Sequence, residues 1–206
     1  EMSASLVGSE MCIRDRNEWS LYPTFNINYA PAPGNVWQLS LSSDKSYPDY
    51  WATQDAVSYM GGGYSEIHGN PYLKPEINYQ LQLTYVLNSK YMFNAWYSHT
   101  KDNATQTLYQ SPERLVEIYK YFNFDFEQQA GVQAVVPFAI GRWLKSRFTL
   151  TGVYDRQKDS DFWDIPFDRK AYYAMLNMNH TVTLFSHPDI KLIVSCLLYT
   201  SPSPRD

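Results

Sequence analysis

The sequence predicts an all-β protein, and three observations support that prediction. Residues 77–87 alternate apolar and polar side chains with the period of a β-strand. Similar alternating segments recur along the chain, separated by stretches rich in proline, glycine and asparagine, which break strands. Aromatic residues make up 17% of the chain and charged residues only 18%. That composition suits strands with one polar and one apolar face, and it argues against disorder.

The first part of the chain is predicted to form a hairpin followed by a long loop. Residues 19–30 and 36–46 alternate in the manner of strands, and residues 31–35 contain the prolines and glycine that end their pairing. Residues 47–75 show no regular period and are predicted to be an irregular loop. Loops of this length are uncommon in compact domains and usually have a function.

The strand predicted at residues 77–88 has the clearest pattern. Asn78, Gln80, Gln82 and Thr84 share one face, because successive side chains of a strand point to opposite sides. The other face is apolar and would contact lipid in a membrane barrel or a second sheet in a soluble sandwich. The side chains that we expect to face lipid are Ile77, Tyr79, Leu81, Leu83, Tyr85 and Leu87.

The same rhythm continues to the end of the chain, for about eight strands in all. Further strands are predicted at residues 91–110, 114–138, 146–156, 170–185 and 190–194. Short turns alternate with longer connections, one of them a charged loop at residues 157–169, and this asymmetry is typical of outer-membrane barrels. Aromatic residues near the short turns would form an interfacial girdle: Tyr29, Trp37, Tyr91 and Trp143.

The segment before residue 77 carries a resemblance to a known family. Its residues match the pattern G-N-P-x-L-x-P-E at Gly69, Asn70, Pro71, Leu73, Pro75 and Glu76. This pattern resembles the barrel of TonB-dependent outer-membrane receptors of diderm bacteria, where it ends an extracellular loop and starts a descending strand. The resemblance implies a barrel of about 22 strands around an N-terminal plug. It also implies ligand binding at the extracellular loops and plug, with energy supplied by the TonB complex.

The chain is therefore expected to be an incomplete segment of an antiparallel up-and-down transmembrane β-barrel in the bacterial outer membrane. The expected partners are outer-membrane lipid, the TonB complex through a missing N-terminal part, and a small ligand. That ligand could be a siderophore, cobalamin, a glycan or a peptide. A net charge of −4 without a basic cluster argues against nucleic-acid binding.

The loop at residues 47–75 holds the candidate ligand-binding residues. These are the aromatic side chains that could stack on a sugar or a chelate, or pack the loop against itself: Tyr50, Trp51, Tyr59, Tyr64 and Tyr72. No nucleophile with a base, and no pair of carboxylates, indicates catalysis, so we expect neither an enzyme nor a cofactor.

No metal site is expected. The four histidines are scattered and show no ligand spacing: His68, His99, His180 and His187. Five acidic residues crowd the predicted charged loop, but their spacing does not fit a calcium-binding loop and basic neighbours offset them: Asp155, Asp159, Asp161, Asp164 and Asp168.

The two ends of the chain read as translated sequencing-library adapter, from opposite strands of one oligonucleotide. The peptides concerned are LVGSEMCIRDR at residues 6–16 and CLLYTSPSPRD at residues 196–206. We therefore expect residues 1–16 and 196–206 to be artefacts and residues 17–195 to be a partial outer-membrane barrel domain. Both cysteines, Cys12 and Cys196, lie in the end segments, so no natural disulfide is expected.

Two alternatives remain open at the level of sequence. A smaller outer-membrane barrel with a structural or adhesive role would show the same alternation without energised import. A soluble β-sandwich that binds carbohydrate through the loop aromatics would also alternate, with its apolar face covered by a second sheet.

Overall fold

The computed structural model describes residues 21–110, 112–163, 165–186 and 189–200. Within these ranges the strands form one sheet, and eight of them follow the order β1-β2-β5-β6-β7-β8-β9-β10 with antiparallel neighbours. The strands are β1 Phe25–Ala32, β2 Asn35–Ser46, β3 Val57–Met60, β4 Ser65–His68, β5 Glu76–Leu87, β6 Tyr91–Gln110, β7 Glu117–Ile140, β8 Leu144–Phe162, β9 Ile165–Ser186 and β10 Asp189–Thr200.

The predicted fold class is confirmed by this up-and-down sheet. Consecutive long strands pair with each other, and the strands at the two edges, β1 and β10, do not pair with one another. The sheet is therefore an unclosed segment of a barrel wall. No second sheet covers it within the described ranges. In the same part of the chain, no helix has the length and apolar character needed to cross a membrane.

The predicted charged loop at residues 157–169 is wrong, because β8 and β9 extend through it almost to its tip. The Arg156 guanidinium donates two hydrogen bonds to the Asp168 carboxylate, at 2.9 and 2.8 Å, across the two strands. Aromatic rings cover the same hairpin, with Phe124 stacked on Phe167 at 5.5 Å and Tyr109 stacked on Trp163 at 4.3 Å. These cross-strand pairs stabilise strand pairing where the charges alone indicated a solvated loop.

The loop predicted at residues 47–75 is also more regular than expected. It contains short 3-10 segments at Tyr50–Thr53 and Gly61–Gly63, and the hairpin of β3 and β4. The first turn is shorter than predicted, since β1 continues through Pro31 to Ala32. An irregularity in the pairing between Tyr29 and Ala32 accommodates that proline, which cannot donate to the ladder.

The register of the sheet creates two continuous faces. On the apolar face, directly paired positions form an unbroken row: Tyr29, Trp37, Tyr85, Phe93, Ala134, Leu150, Leu176 and Leu198. From β1 to β8 the neighbouring row on the opposite face is polar: Asn28, Gln38, Thr84, Asn94, Gln133 and Thr151. On β9 and β10 this row continues with Met175 and Tyr199. The six apolar side chains predicted from β5 lie together on the apolar face, where Tyr79, Leu81 and Leu83 are exposed.

Side chains on each face contact their cross-strand partners. On the apolar face, Trp37 stacks on Tyr85 at 4.0 Å and Tyr85 on Phe93 at 6.3 Å. On the polar face, Asn94 donates to Gln133 at 3.3 Å and Gln133 donates to Thr151 at 3.1 Å. Side chains on the apolar face therefore pack against each other, and those on the polar face form hydrogen bonds with each other. Such cross-strand pairs stabilise a sheet.

A tryptophan on the polar face requires a glycine on the next strand. Trp96 pairs with Gly131, and its indole nitrogen donates a hydrogen bond to Gln129 at 3.3 Å. A Cβ atom on Gly131 would collide with the Trp96 ring. Gly131 thus lets the large ring lie flat over the backbone of β7.

We expect Gly131→Ala to displace the Trp96 ring and to lower the free energy of unfolding by about 1–3 kcal/mol, the usual cost of overpacking. Urea unfolding of the intact outer-membrane protein in detergent micelles, followed by tryptophan fluorescence, measures the change. Gly152→Ala is the matched control, because the nearest atom to its added Cβ is Val132 Cγ2 at an ordinary 3.8 Å. Equal losses in both variants would contradict this role of Gly131.

Candidate ligand-binding site

The loop between β2 and β5 is held together by the residues that carried the sequence motif. The Gly69 amide donates to the Ala56 carbonyl at 3.1 Å, and a Cβ on Gly69 would collide with the Gln54 backbone. Leu73 is only 1% exposed and is the most completely buried large side chain in the described ranges. The motif therefore builds a small core within the loop, beside the point where β5 begins at Glu76.

Two asparagines fasten this loop to β7. The Asn70 side chain donates to the Tyr121 carbonyl at 2.9 Å, while its oxygen accepts from the Tyr72 amide at 3.0 Å. Asn123 accepts from the Lys74 amide at 2.7 Å and donates to the Lys74 carbonyl at 3.0 Å. The loop is thus tied to a strand that lies two strands away in the sheet from β5.

The β3–β4 hairpin adds a short parallel pairing to β7. Ser65 to His68 pair with Glu117 to Lys120, at the end of β7 that lies beyond its pairing with β8. The Glu117 amide also donates to the Tyr64 carbonyl at 2.9 Å. This hairpin extends the sheet at the end opposite the short turns, and parallel pairing there could not be predicted from periodicity.

A buried carboxylate lies at the centre of this pairing. Glu66 is 4% exposed and accepts hydrogen bonds from His68 Nε2 at 2.8 Å and from the Arg114 guanidinium at 3.1 and 3.4 Å. The hydrogen bond from His68 lowers the pKa of Glu66, and Arg114 adds to this effect, although burial opposes it. Burying the carboxylate is tolerated because both its oxygens are paired.

The five predicted loop aromatics are exposed and do not form a single cluster. Tyr50, Tyr59, Tyr64 and Tyr72 are each at least 64% exposed. Trp51 packs edge-on against Tyr121 at 5.5 Å, the ring contact that joins the loop to β7 in the described ranges. The structure thus presents these rings to solvent above the polar face. Their role in binding stays a prediction.

The polar face beneath the loop carries acidic and amide side chains. Glu76, at the start of β5, accepts from the Ala104 amide at 3.4 Å, and a small cleft lies between it, Tyr121 and the loop backbone at Ala52. Farther from the loop, Glu127 accepts from Asn103 and from Gln157, the latter at 3.3 Å. A ligand that passes along this face would meet hydrogen-bond acceptors and amides.

The histidines and the acidic residues singled out in the sequence are dispersed. The His99 ring contacts Phe126, and His68 pairs with Glu66. His180 Nδ1 and the Ser146 hydroxyl share a hydrogen bond of 2.8 Å. His187 and Asp164 lie outside the described residues. Across the ranges that are described, no group of three or more histidine, cysteine, aspartate or glutamate side chains is placed to hold a metal ion.

Sequence reasoning missed Asn123, Gly131 and Glu66. Asn123 lies inside a strand with many polar residues, so no local signal separates this loop anchor from an ordinary polar side chain. Glu66 lies in a segment interpreted as irregular. A glycine at a strand centre is itself a signal for close approach of another group.

The fold and faces described above define an outer-membrane β-barrel wall with one apolar and one polar side. The chain belongs to the outer membrane protein beta-barrel family, whose model matches residues 7–204. It is therefore a protein of the bacterial outer membrane. No curated protein matches its sequence.

Solved structures that resemble this chain have low sequence identity to it, and the first shares its fold. The siderophore receptor PirA from Pseudomonas aeruginosa superposes with a TM-score of 0.51 and 10% identity, over 87% of this chain and 42% of the receptor. The ferric enterobactin receptor PfeA of the same organism gives a TM-score of 0.45 and 12% identity, over 80% of this chain and 33% of the receptor. This chain thus spans less than half the length of either receptor.

We expect the β3–β4 hairpin to loosen in acid. A lowered pKa means that the Glu66 carboxylate contributes stability above its unfolded-state pKa, and that this contribution disappears as pH falls through the folded pKa. Hydrogen exchange of residues 57–68 in the intact protein, corrected for intrinsic rates, should therefore rise as the pH falls below the ordinary pKa range of a glutamate.

The Glu66→Gln variant should be less protected than the native hairpin at pH 7 and should lose the acid transition. Glu117→Gln serves as the control, because that exposed carboxylate lies on the partner strand at the same pairing. An acid transition that survives in Glu66→Gln would show that another group controls the hairpin.

Proposed function

We propose that this chain is part of the barrel of a TonB-dependent receptor-like transporter, which imports a scarce nutrient with energy from the inner membrane. The observation that carries the proposal is the motif-built loop at Gly69–Glu76, ordered above the polar face of an outer-membrane barrel wall. A wall that only anchored the protein would have no need for an extended loop fixed across several of its strands. The fold likeness to a siderophore receptor is consistent with the proposal.

The loop aromatics would make the first contact with the ligand. Tyr50, Tyr59 and Tyr72 expose rigid rings that can stack on a sugar or an aromatic chelate at low entropic cost. The polar face beneath would then offer amides and carboxylates along the path inward. Siderophore, cobalamin, glycan and peptide are the ligand classes to test, and the TonB complex would act through a part of the protein outside this chain.

Uptake measured in cells tests this function directly. We expect cells that express the intact protein to accumulate one radiolabelled compound from a panel of ferric siderophores, cobalamin, oligosaccharides and peptides, and to lose this uptake when TonB is deleted. The triple change Tyr50→Ala, Tyr59→Ala and Tyr72→Ala should reduce uptake about tenfold or more, given about 1.4 kcal/mol or more for the combined loss of aromatic contacts.

Tyr172→Ala is the control, since that tyrosine is 69% exposed but lies on β9 and outside the loop. Uptake that is unchanged without TonB would favour the second candidate, a smaller non-energised outer-membrane barrel. That candidate is consistent with the family match, which does not specify transport.

We further propose that the apolar face contacts lipid. Leu81→Arg should then prevent membrane insertion, at a cost of about 2–4 kcal/mol for a charge near the bilayer midplane. Gln82→Arg should be tolerated, because its side chain lies on the polar face of the same strand. Heat-modifiable migration of the intact protein in outer-membrane fractions reports insertion. Equal tolerance of both changes would contradict the proposal that the apolar face contacts lipid.

The division of the chain remains part of the proposal: residues 17–195 are barrel, and residues 1–16 and 196–206 are adapter-derived. Sequencing of the source DNA across both junctions tests the division. A genomic reading frame that contains both end peptides would overturn it.

A further inference from the structure

Beyond the apolar rows, at the end with the long loops, the same face becomes basic. Two consecutive rows of paired positions lie there. One contains Tyr79, His99, Gln128, Arg156 and Lys170, and the next contains Lys45, Ile77, Lys101, Phe126, Lys158 and Asp168. We define the basic rim as the five basic side chains of these rows: Lys45, Lys101, Arg156, Lys158 and Lys170.

Contacts confirm that the rim belongs to the apolar face. The Arg156 guanidinium lies 5.5 Å above the Phe126 ring, and Phe126 also contacts His99 at 5.7 Å. Tyr154 precedes Arg156 by two residues on β8, and Tyr172 follows Lys170 by two residues on β9, so both tyrosines share the face. Their rings lie 4.9 Å apart. Tyrosines directly below a basic row are the arrangement expected at a membrane interface.

The rim keeps a net positive charge. Asp168 is the acidic residue on these two rows, and it is paired with Arg156. The two rows therefore carry five basic side chains and one acidic side chain. Lys101 and Lys170 are exposed, while Lys158 is half-buried along the strand.

Basic strand residues near the short turns have the opposite orientation. Lys145 pairs with Thr181, Arg147 with Asn179 and Lys191 with Thr183, all of which lie on the polar face. In the described ranges, the lysines and arginines on the strands of the apolar face thus lie at the long-loop end and not at the short-turn end. Since short turns of outer-membrane barrels are periplasmic, the long-loop end faces outward.

We propose that the basic rim binds the phosphate groups of phosphorylated glycolipid head groups in the outward leaflet of the outer membrane. The proposal rests on the proposed contact of the apolar face with lipid. Rows along a strand are about 7 Å apart, so the rim lies one to two such steps outside the tyrosines, at the level of head groups. Lysine ammonium groups are point charges that suit phosphates, and each adds to membrane attraction near a charged surface.

The rim is better suited to a lipid head group than to a soluble ligand. It is continuous with the apolar rows and spread over strands β2, β6, β8 and β9. A lipid can place its acyl chains on the apolar rows and its phosphates on the lysines together, whereas a free phosphate gains only the second contact.

Native mass spectrometry of the intact protein in detergent micelles, titrated with bisphosphorylated lipid A, tests the proposal. The triple variant Lys101→Gln, Lys158→Gln and Lys170→Gln should bind this lipid at least tenfold more weakly than the native protein. Asp168→Asn should bind it more tightly, about two- to threefold, because Arg156 becomes available for phosphate. Lipid A that lacks both phosphates should not distinguish the native protein from the triple variant.

Arg169→Gln is the matched control, because Arg169 neighbours Lys170 in sequence but lies on the polar face, paired with Gln157. Heat-modifiable migration confirms that each variant is folded. Unchanged lipid A affinity in a folded triple variant, an equal loss in Arg169→Gln, or weaker binding by Asp168→Asn would each overturn the basic rim while leaving the lipid-facing apolar surface intact. Competition by millimolar inorganic phosphate that abolishes lipid binding would also overturn it, since it would show a free-ion site.

Discussion

The structure depends on backbone pairing that keeps one register across eight strands. In the central row of the apolar face, each apolar side chain meets another on the next strand, from Tyr29 on β1 to Leu198 on β10. A shift of one residue in any pairing would send the side chains beyond it to the wrong face. Within a bilayer, backbone groups must also be satisfied by the sheet itself, so the ladder cannot be interrupted within the apolar band.

The second constraint is the attachment of the long loop. Asn70 and Asn123 use side-chain amides to reach backbone groups, and Glu66 joins β4 to Arg114 at the start of β7. These contacts convert a 3-10 and hairpin segment into a fixed structure above the polar face. The exposed aromatic rings then have defined positions, which is what a ligand-contacting loop requires.

Sequence reasoning performed well wherever alternation was regular. It predicted the strand Tyr91–Gln110 with its observed bounds. It also predicted that alternate residues from Ile77 to Leu87 share one face of β5. It failed at residues 157–169, where it treated charges as a solvated loop. Arg156 and Asp168 in fact pair across adjacent strands, and a residue's partner on another strand is not visible from its own segment. The same reason explains why the loop anchors were missed.

By itself, the sequence determined the class of the protein and the two-sidedness of its strands, because period-two alternation is a local property of the chain. It also determined the loop motif, whose glycine, asparagine and leucine each have a local structural role. Only the tertiary structure decided which strands meet, where the loop is attached, and that the basic side chains of distant strands lie in two adjacent rows. Those features depend on register between segments far apart in sequence, and no single segment encodes its partner's register.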